Sequence, residues 1–136
     1  MEIIILTMIF VFGSNLAGRH GKGAALDARK KHGAVYGQGV GLQGNSYAIP
    51  TKDENLKTLP LNVIRGYVNQ FLSFAMMNPH LQFQVTPVGC GLAGYKPNQI
   101  APMFRGALQL NNVKLPPAFL KVLEGQKVNW SNAWER

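Results

Sequence analysis

The sequence predicts a single-domain α/β fold in which helices flank a mostly parallel or mixed β-sheet. Apolar, β-branched segments alternate with glycine-rich loops and amphipathic helices, the succession typical of layered α/β proteins. The 136 residues suffice for one hydrophobic core, and 46% hydrophobic against 15% charged residues excludes a disordered, highly charged chain. We divide the chain into a domain at residues 1–125 and a C-terminal tail at residues 126–136.

The first half of the chain predicts two strands and a helix. Residues 3–12, IIILTMIFVF, form an unbroken β-branched and aromatic run that predicts a fully buried strand. After a loop, the Ala-rich segment 23–32 predicts a short helix, which Gly33 ends at the usual C-terminal cap position. Residues 34–45 are glycine-rich and show no assignable periodicity. A second strand is predicted at residues 46–50.

The second half predicts three helices and one more strand. Residues 61–77 predict the longest helix, because apolar residues recur there at helical spacing. Residues 82–88 predict a third strand whose end is marked by a proline. Further helices are expected at 98–110 and at 116–124, the last capped by Gly125. The residues predicted to face the core from the first two of these helices are Ile64, Tyr67, Val68, Phe71, Phe74, Ala75, Ile100, Phe104, Ala107 and Leu108.

The C-terminal tail carries two tryptophans, Trp130 and Trp134. Side chains of this size predict that the tail packs on something, in this chain or in another copy. Because aromatic residues are enriched at interfaces, a homo-oligomer contact through the tail is one expectation.

Charge and cysteine usage narrow the classes of partner. Lys and Arg number 14 against 6 Asp and Glu, and the net charge of +8 favours anionic partners such as nucleic acid, phosphorylated small molecules or an anionic membrane. The apolar run at 3–12 is shorter than the roughly 20 residues that cross a bilayer and lacks a basic flank. A single cysteine, Cys90, fits a reducing cytoplasm. We therefore expect a cytoplasmic protein with no membrane-spanning segment.

Polar loops follow all three predicted strands. In a parallel sheet, ligands bind outside the carboxyl ends of the strands, so the three loops should converge on one rim. The isolated histidines and the lone cysteine predict neither a metal site nor a cofactor. The residues that begin the three loops are Gly13, Ser14 and Asn15, then Thr51, Lys52 and Asp53, then Gly89, Cys90 and Gly91.

The first and third loops are candidates for phosphate binding through backbone amides. Gly18, Gly21 and Gly23 precede a helix whose N-terminal amides would face an anion, and Arg19, His20 and Lys22 add positive charge. A flexible surface loop is the alternative, and the spacing matches neither a Walker A motif nor a dinucleotide fingerprint. In the third loop, the glycines again permit close approach of the backbone to a ligand. The residues of that loop are Gly89, Cys90, Gly91, Leu92, Ala93, Gly94 and Tyr95.

Four side chains in these segments allow more than one interpretation. Cys90 is interpreted as a small buried residue rather than a nucleophile, since no histidine is paired with it. Tyr95 stacks on a base or ribose, or simply closes its loop. Lys52 is a catalytic amine, a phosphate ligand or a member of an ordinary ion pair with Asp53 or Glu54. The basic run at 29–31 is interpreted as a solvated helix end rather than a nucleic-acid stripe.

Three segments in this order resemble the macrodomain family. Residues 9–105 contain Asn15 followed by GRHGKGAALDARKKHGA, then SYAIPTKDENLKTLPLNVIRGYVNQF, then VTPVGCGLAGYKPNQIAPMF. The second segment resembles the Pro-Thr-Lys stretch of a lysine-bearing branch that removes ADP-ribose from nucleic acid or from acidic side chains. The chain also looks like small macro-like proteins encoded by bacteriophages and prophages.

The resemblance implies a cleft for ADP-ribose or a relative. Asn15 would contact the distal ribose, and Lys52 would act on the anomeric carbon. The only acid before Asp27 is Glu2, where macrodomains usually read adenine with an acidic residue, and Ala93 stands where some relatives carry an aspartate. The amides implied to hold the diphosphate are those of Gly21, Lys22, Gly23 and Ala24 and those of Cys90, Gly91, Leu92, Ala93 and Gly94.

Three functional hypotheses follow. The first is a module that sequesters or senses an ADP-ribose-type nucleotide. The second is an ADP-ribosyl glycohydrolase in which Lys52 acts as the amine and Asp53 or Glu54 assists proton transfer, with modified nucleic acid or protein as substrate. The third is an RNA- or single-stranded-DNA-binding module, which the basic segment 19–31 favours and its lack of aromatic residues opposes.

Overall fold

A five-stranded mixed sheet with helices on both faces forms the core of the computed structural model, which describes residues 8–134 and their side chains up to residue 126. The α/β class predicted from the sequence is therefore confirmed. The strands are β1 Met8–Asn15, β2 Gly41–Gln43, β3 Ser46–Lys52, β4 Gln82–Val85 and β5 Val113–Lys114. The helices are α1 Gly23–Lys31, α2 Leu61–Met77, α3 Pro97–Ile100 and α4 Pro117–Trp134, with a 3-10 helix at Ala101–Gln109.

Strand β1 lies at the centre of the sheet. The strand order is β2-β3-β1-β4-β5, and β1 pairs in parallel with β3 on one side and β4 on the other. Strand β5 is also parallel to β4, whereas β2 pairs antiparallel with β3 at the edge. Because β1 is covered on both faces, its neighbouring side chains Val11 and Phe12 are both fully buried although they point to opposite faces.

The two faces of the sheet bury cores of different size. The larger core lies under α2, the 3-10 helix and α4, and its bulkiest buried members include Phe71, Phe83 and Phe104. The smaller core lies under α1, where Phe12 packs with small side chains. Alanines on α1 let that helix approach the sheet closely, which brings its N-terminus to the carboxyl end of β1. The alanines of this core are Ala25, Ala28, Ala34 and Ala48.

The first two predicted strands extend further toward their carboxyl ends than the sequence predicted. The first strand was expected at 3–12, but β1 continues through Asn15, while residues 3–7 lie outside the described part. Likewise β3 continues to Lys52 rather than ending at Pro50. The polar residues join the ladder because the backbone donors and acceptors of β1 and β3 pair with each other there. Gly13 lies opposite Ile49, and Asn15 lies opposite Lys52. The third strand is shorter than predicted and ends at Val85.

Two other differences concern segments with weak patterns. The unassigned segment 34–45 contains β2, which turns back on β3 as a hairpin through Gly44. The predicted helix at 98–110 is one α-helical turn followed by the 3-10 helix. Three of its four buried residues, Ala101, Phe104 and Ala107, recur every three positions, and the fourth is Met103. Leu108 does not fit this spacing and is 51% exposed, so its predicted inward position is wrong.

The last helix is longer than predicted. Helix α4 continues through Gly125, so this glycine does not end the helix. The expected packing of Trp130 and Trp134 concerns side chains outside the described part. No helix within residues 8–134 combines the length and the apolar character that crossing a membrane requires.

Candidate functional site

A cleft of about 880 Å³ opens at the carboxyl ends of β1, β3 and β4. These three strands run in parallel, so their ends reach the same edge of the sheet. The ends of β1 and β3 supply the floor, the segment before α1 supplies one wall, and the segment after β4 supplies the other. We call these the first wall, residues 16–25, and the second wall, residues 86–93.

Most residues singled out from the sequence line this cleft together. Those that do are Gly13, Ser14, Asn15, Gly21, Lys22, Gly23, Ala24, Thr51, Lys52, Gly89, Cys90, Gly91, Leu92 and Ala93. Asp53, Gly94 and Tyr95 do not line it, which corrects the expectation for these three. Arg19, which the sequence analysis named for its charge, also lines the cleft. The lining residues that sequence reasoning missed are Ala25, Tyr36, Leu56, Thr86, Pro87 and Val88.

Asn15 organises the first wall. It is 7% exposed, its Oδ1 accepts a hydrogen bond from the amide of Arg19 at 2.9 Å, and its Nδ2 donates to the Arg19 carbonyl oxygen at 3.0 Å. The side-chain amide thus fastens the turn that leads into α1. Gly18 has a positive φ of 69°, and a Cβ there would overlap the backbone of Gln38, so this turn requires glycine.

The N-terminus of α1 presents amides to the cleft that no side chain caps. The N-cap residue is Lys22, whose ammonium cannot accept a hydrogen bond, and the first turn contains no acid. Gly23, Ala24 and Ala25 line the cleft at this end. Since the first-turn amides of a helix carry a partial positive charge, this wall favours an anion.

The second wall is a compact turn held by its own backbone. Thr86 donates from both its amide and its hydroxyl to the carbonyl oxygen of Val11, at 3.0 and 2.8 Å. The Gly94 amide donates to the Gly91 carbonyl oxygen at 3.0 Å. No acceptor among the described residues pairs with the amides of Gly91, Leu92 or Ala93. This turn therefore offers a second set of free donors, across the cleft from α1.

Two hydrogen bonds tie the second wall and the residues just after it to the segment after β3. The Tyr95 hydroxyl donates to the Leu59 carbonyl oxygen at 2.7 Å, and the Thr58 hydroxyl donates to the Ala93 carbonyl oxygen at 3.0 Å. The Tyr95 ring packs against the larger core. Of the two roles expected for Tyr95, closing the loop agrees with these contacts and stacking on a ligand does not.

Cys90 has the surroundings of an unreactive thiol. Its Sγ lies 3.6 Å from the Val88 carbonyl oxygen, to which it donates, and burial raises the pKa of the thiol above its ordinary value. A raised pKa keeps the sulfur protonated at neutral pH, whereas a nucleophile needs the thiolate. Cys90 therefore serves the turn between Gly89 and Gly91.

Lys52 lies in the cleft without a carboxylate partner among the described residues. The ordinary ion pair with Asp53 or Glu54 is wrong, because the one ion pair in the described part joins Lys31 and Asp27 at 3.9 Å. Asp53 turns away, and its Oδ1 accepts hydrogen bonds from the backbone amides of residues 55 and 57 at 2.8 and 2.9 Å. The Asp53 carboxylate therefore has no access to the cleft, where its expected role in proton transfer would require it.

His20 does not add charge to the cleft as the sequence suggested. It is fully buried, with Nε2 at 3.0 Å from the Gln38 carbonyl oxygen and 3.2 Å from Gln43 Oε1. Both neighbours are acceptors, so Nε2 carries the proton. The ring also meets Phe12 edge to face. His20 thus joins the first wall to the segment that contains β2.

The charges that line the cleft are all positive. Arg19, Lys22 and Lys52 face it, and no acidic residue of the described part lines it. The described part of the chain contains no group of three or more His, Cys, Asp or Glu side chains positioned to hold a metal ion. The site is therefore suited to an anionic ligand held by amides and cations.

Solved structures with a similar fold come from Bacteroides thetaiotaomicron. One is a protein of unknown function with a TM-score of 0.56 and 19% identity, over 82% of this chain and 88% of that chain. Another, an X-ray crystal structure, has a TM-score of 0.52 and 19% identity, over 83% and 92% of the two chains. No protein-family model and no curated protein matches the sequence. Identities this low show a shared fold alone.

Proposed function

We propose that the protein is a macrodomain-like binding module that takes an ADP-ribose-type nucleotide in the cleft and sequesters or senses it in the cytoplasm. The observation that carries the proposal is the pairing of two amide-bearing walls across one cleft. Unpaired donors at the start of α1 and at residues 91–93 face a space whose charged lining residues are all cations. Such an arrangement suits a diphosphate, which carries acceptors on both sides.

The size of the cleft supports a ligand larger than inorganic phosphate. Its volume of about 880 Å³ falls in the upper part of the range of small-molecule sites. With no acidic residue of the described part in the lining, a base would be held by apolar contact rather than by a carboxylate. Exposed apolar surface for that purpose comes from Pro87 and Leu92 on the second wall.

An ADP-ribosyl glycohydrolase is the second candidate, and the position of Lys52 favours it. An amine at the end of β3 faces the cleft with no carboxylate of the described part to engage it. Nucleic acid or protein carrying ADP-ribose would then be the substrate. Under this second candidate function, Lys52 acts as the amine without help from Asp53 in proton transfer. The Lys52→Ala variant should lose any turnover under this candidate, whereas a pure binding module shows no turnover to lose.

Calorimetric titration with ADP-ribose tests the proposal, with AMP, NAD and ribose phosphate as comparators. Saturable binding in the micromolar range or tighter is expected. A Gly91→Phe variant should abolish this binding, because its side chain would extend into the open space of the cleft. The backbone tolerates the change, since no atom stands near a Cβ at residue 91 and the φ of this residue is not positive. Gly66→Phe, at an equally open position on α2, is the matched control. Absence of binding to all four compounds would overturn the proposal.

A further inference from the structure

An exposed aromatic ring stands at the edge of the cleft with a cation over it. Tyr36 is 59% exposed and lines the cleft, and the Arg29 Cζ lies 5.7 Å from the centre of its ring. The adjacent Val35 is 50% exposed. We call Tyr36 and Arg29 the Tyr36 platform. The ring is therefore accessible to a ligand at the edge of the cleft.

The platform is held in place by the backbone around it. The Gly37 amide donates to the Gly18 carbonyl oxygen at 2.8 Å, and the Val35 amide donates to Gln43 Oε1 at 2.8 Å. Tyr36 is therefore bracketed by two hydrogen bonds, one to the first wall and one to β2. Because the backbone on either side is already held, little backbone ordering is needed when the ring stacks on a ligand.

Positive charge lies along α1, the helix that carries Arg29 of the platform. Arg29, Lys30 and Lys31 occupy the last turn of α1, and Arg19 and Lys22 lie toward its other end, roughly 10 Å away at the rise of an α-helix. The acid on α1 is Asp27, which lies 3.9 Å from Lys31. The interpretation of the basic turn as a solvated helix end overlooked an aromatic ring that the fold supplies from outside the segment 19–31.

The location of the platform separates it from the second wall. In the sheet, β3 and β2 lie on one side of β1 and β4 on the other. The segment with Tyr36 leads into β2, while the second wall follows β4. The platform therefore lies on the β2 and β3 side of β1, opposite the second wall, and a chain can leave the cleft across it.

We infer that the Tyr36 platform binds single-stranded nucleic acid, with a base stacked on Tyr36 and backbone phosphates near the cations of α1. Aromatic rings interleaved with basic side chains are the means by which proteins bind single strands with little sequence preference. A guanidinium against the ring strengthens such stacking. Tyr36 also lines the cleft, so the platform adjoins the proposed nucleotide site, but the inference does not require that site to bind a nucleotide.

Fluorescence anisotropy with a labelled oligothymidylate of about 12 nucleotides tests the inference across a range of salt concentrations. Tyr36→Ala should weaken binding about 5- to 150-fold, since one base stack contributes about 1–3 kcal/mol. Tyr36→Phe should retain binding. Arg29→Gln should reduce the slope of the log binding constant against log salt concentration by the share of about one phosphate contact. Lys121→Gln, at an exposed position on α4, should leave this slope nearly unchanged.

Three outcomes would overturn the inference. They are no salt-dependent binding, equal binding by wild type and Tyr36→Ala, and an acidic peptide that binds in place of the oligonucleotide with the same dependence on Tyr36. Calorimetry with ADP-ribose separates the two sites. If Tyr36→Ala loses ADP-ribose and wild type binds no oligonucleotide, the ring belongs to the nucleotide cleft. If wild type binds the oligonucleotide but no ADP-ribose, the proposed function fails and the platform stands.

Discussion

The side-chain amide of Asn15 holds the backbone of Arg19 by two hydrogen bonds, one accepted and one donated. Asn15 is the last residue of the central strand, and Arg19 lies in the turn that leads to α1. This pair therefore joins the sheet to the first wall of the cleft. An amide suits the position because it carries both a donor and an acceptor on one short planar group.

Replacing Asn15 should uncouple the first wall from the sheet. Asn15→Ala removes both hydrogen bonds from a nearly buried position, so we expect the free energy of unfolding to fall by about 1–3 kcal/mol. Under the proposed function, the affinity for ADP-ribose falls as well. Asn15→Asp retains the acceptor for the Arg19 amide but places a negative charge beside the phosphates.

Urea unfolding and calorimetry on both variants measure the two effects. Asn15→Asp should lose less stability than Asn15→Ala but at least as much affinity. Affinity equal to wild type in Asn15→Ala would contradict a role of this pair in shaping the site.

The glycines of the first wall should differ sharply in their tolerance of alanine. Gly18 has a φ of 69° and a Cβ there would overlap Gln38, so Gly18→Ala should destabilise the fold by about 1–3 kcal/mol. A Cβ added at Gly21 would meet open space, and the φ of this residue is not positive, so Gly21→Ala should fold as well as wild type. Thermal denaturation of both variants provides the comparison. Equal melting temperatures would show that the contact between Gly18 and Gln38 is unimportant.

Cys90 should react slowly with alkylating reagents. Burial raises the pKa of its thiol, so at neutral pH the thiolate fraction lies below that of free cysteine. The folded state retains this proton at a pH where the unfolded thiol releases it, so the free energy of unfolding falls as pH rises above the ordinary thiol pKa. Cys90→Ala should remove that part of the decline and leave ligand affinity unchanged. Mass spectrometry of iodoacetamide adducts over time, with glutathione as reference, measures the reactivity; labelling as fast as glutathione contradicts the assignment.

Adjacent residues 52 and 53 should behave differently when substituted. Lys52→Met removes a cation from the cleft, so we expect weaker binding of ADP-ribose by several-fold, as for the loss of one charge-assisted contact. Asp53→Asn retains the oxygen that accepts the amides of residues 55 and 57, so affinity and any turnover should match wild type. A loss of affinity in Asp53→Asn as large as in Lys52→Met would place Asp53 in the site after all.

Local patterns predicted the layers and most of the cleft, because both depend on strand, loop and helix order. Glycines and polar residues at the end of β1 and after β4 were visible in the sequence, and a parallel sheet brings them to one edge. Leu108 was misplaced because Pro102 near the start of the 3-10 helix changes the period from 3.6 to three residues. Tyr36 was missed because only a long-range hydrogen bond, from Gly37 to Gly18, brings it to the cleft.

The same limit explains Asp53 and Tyr95. Their position next to lining residues suggested a place in the cleft, yet a side chain that finds a backbone partner elsewhere points away from the ligand. Asp53 accepts local amides and Tyr95 donates to Leu59. Such competition between alternative hydrogen-bond partners is invisible to spacing alone.

Both walls of the cleft are attached to one strand. Val11 accepts the hydrogen bonds of Thr86, and Asn15 holds the turn at Arg19, so anchors four residues apart on β1 carry opposite walls. That strand is paired on both sides, so the bases of the two walls can separate only if one of these anchors or a ladder of β1 breaks. The width of the cleft is therefore fixed by these anchors, and the cleft should select ligands by their thickness. Association with a ligand should accordingly follow a single kinetic phase, with no slow closing step after encounter.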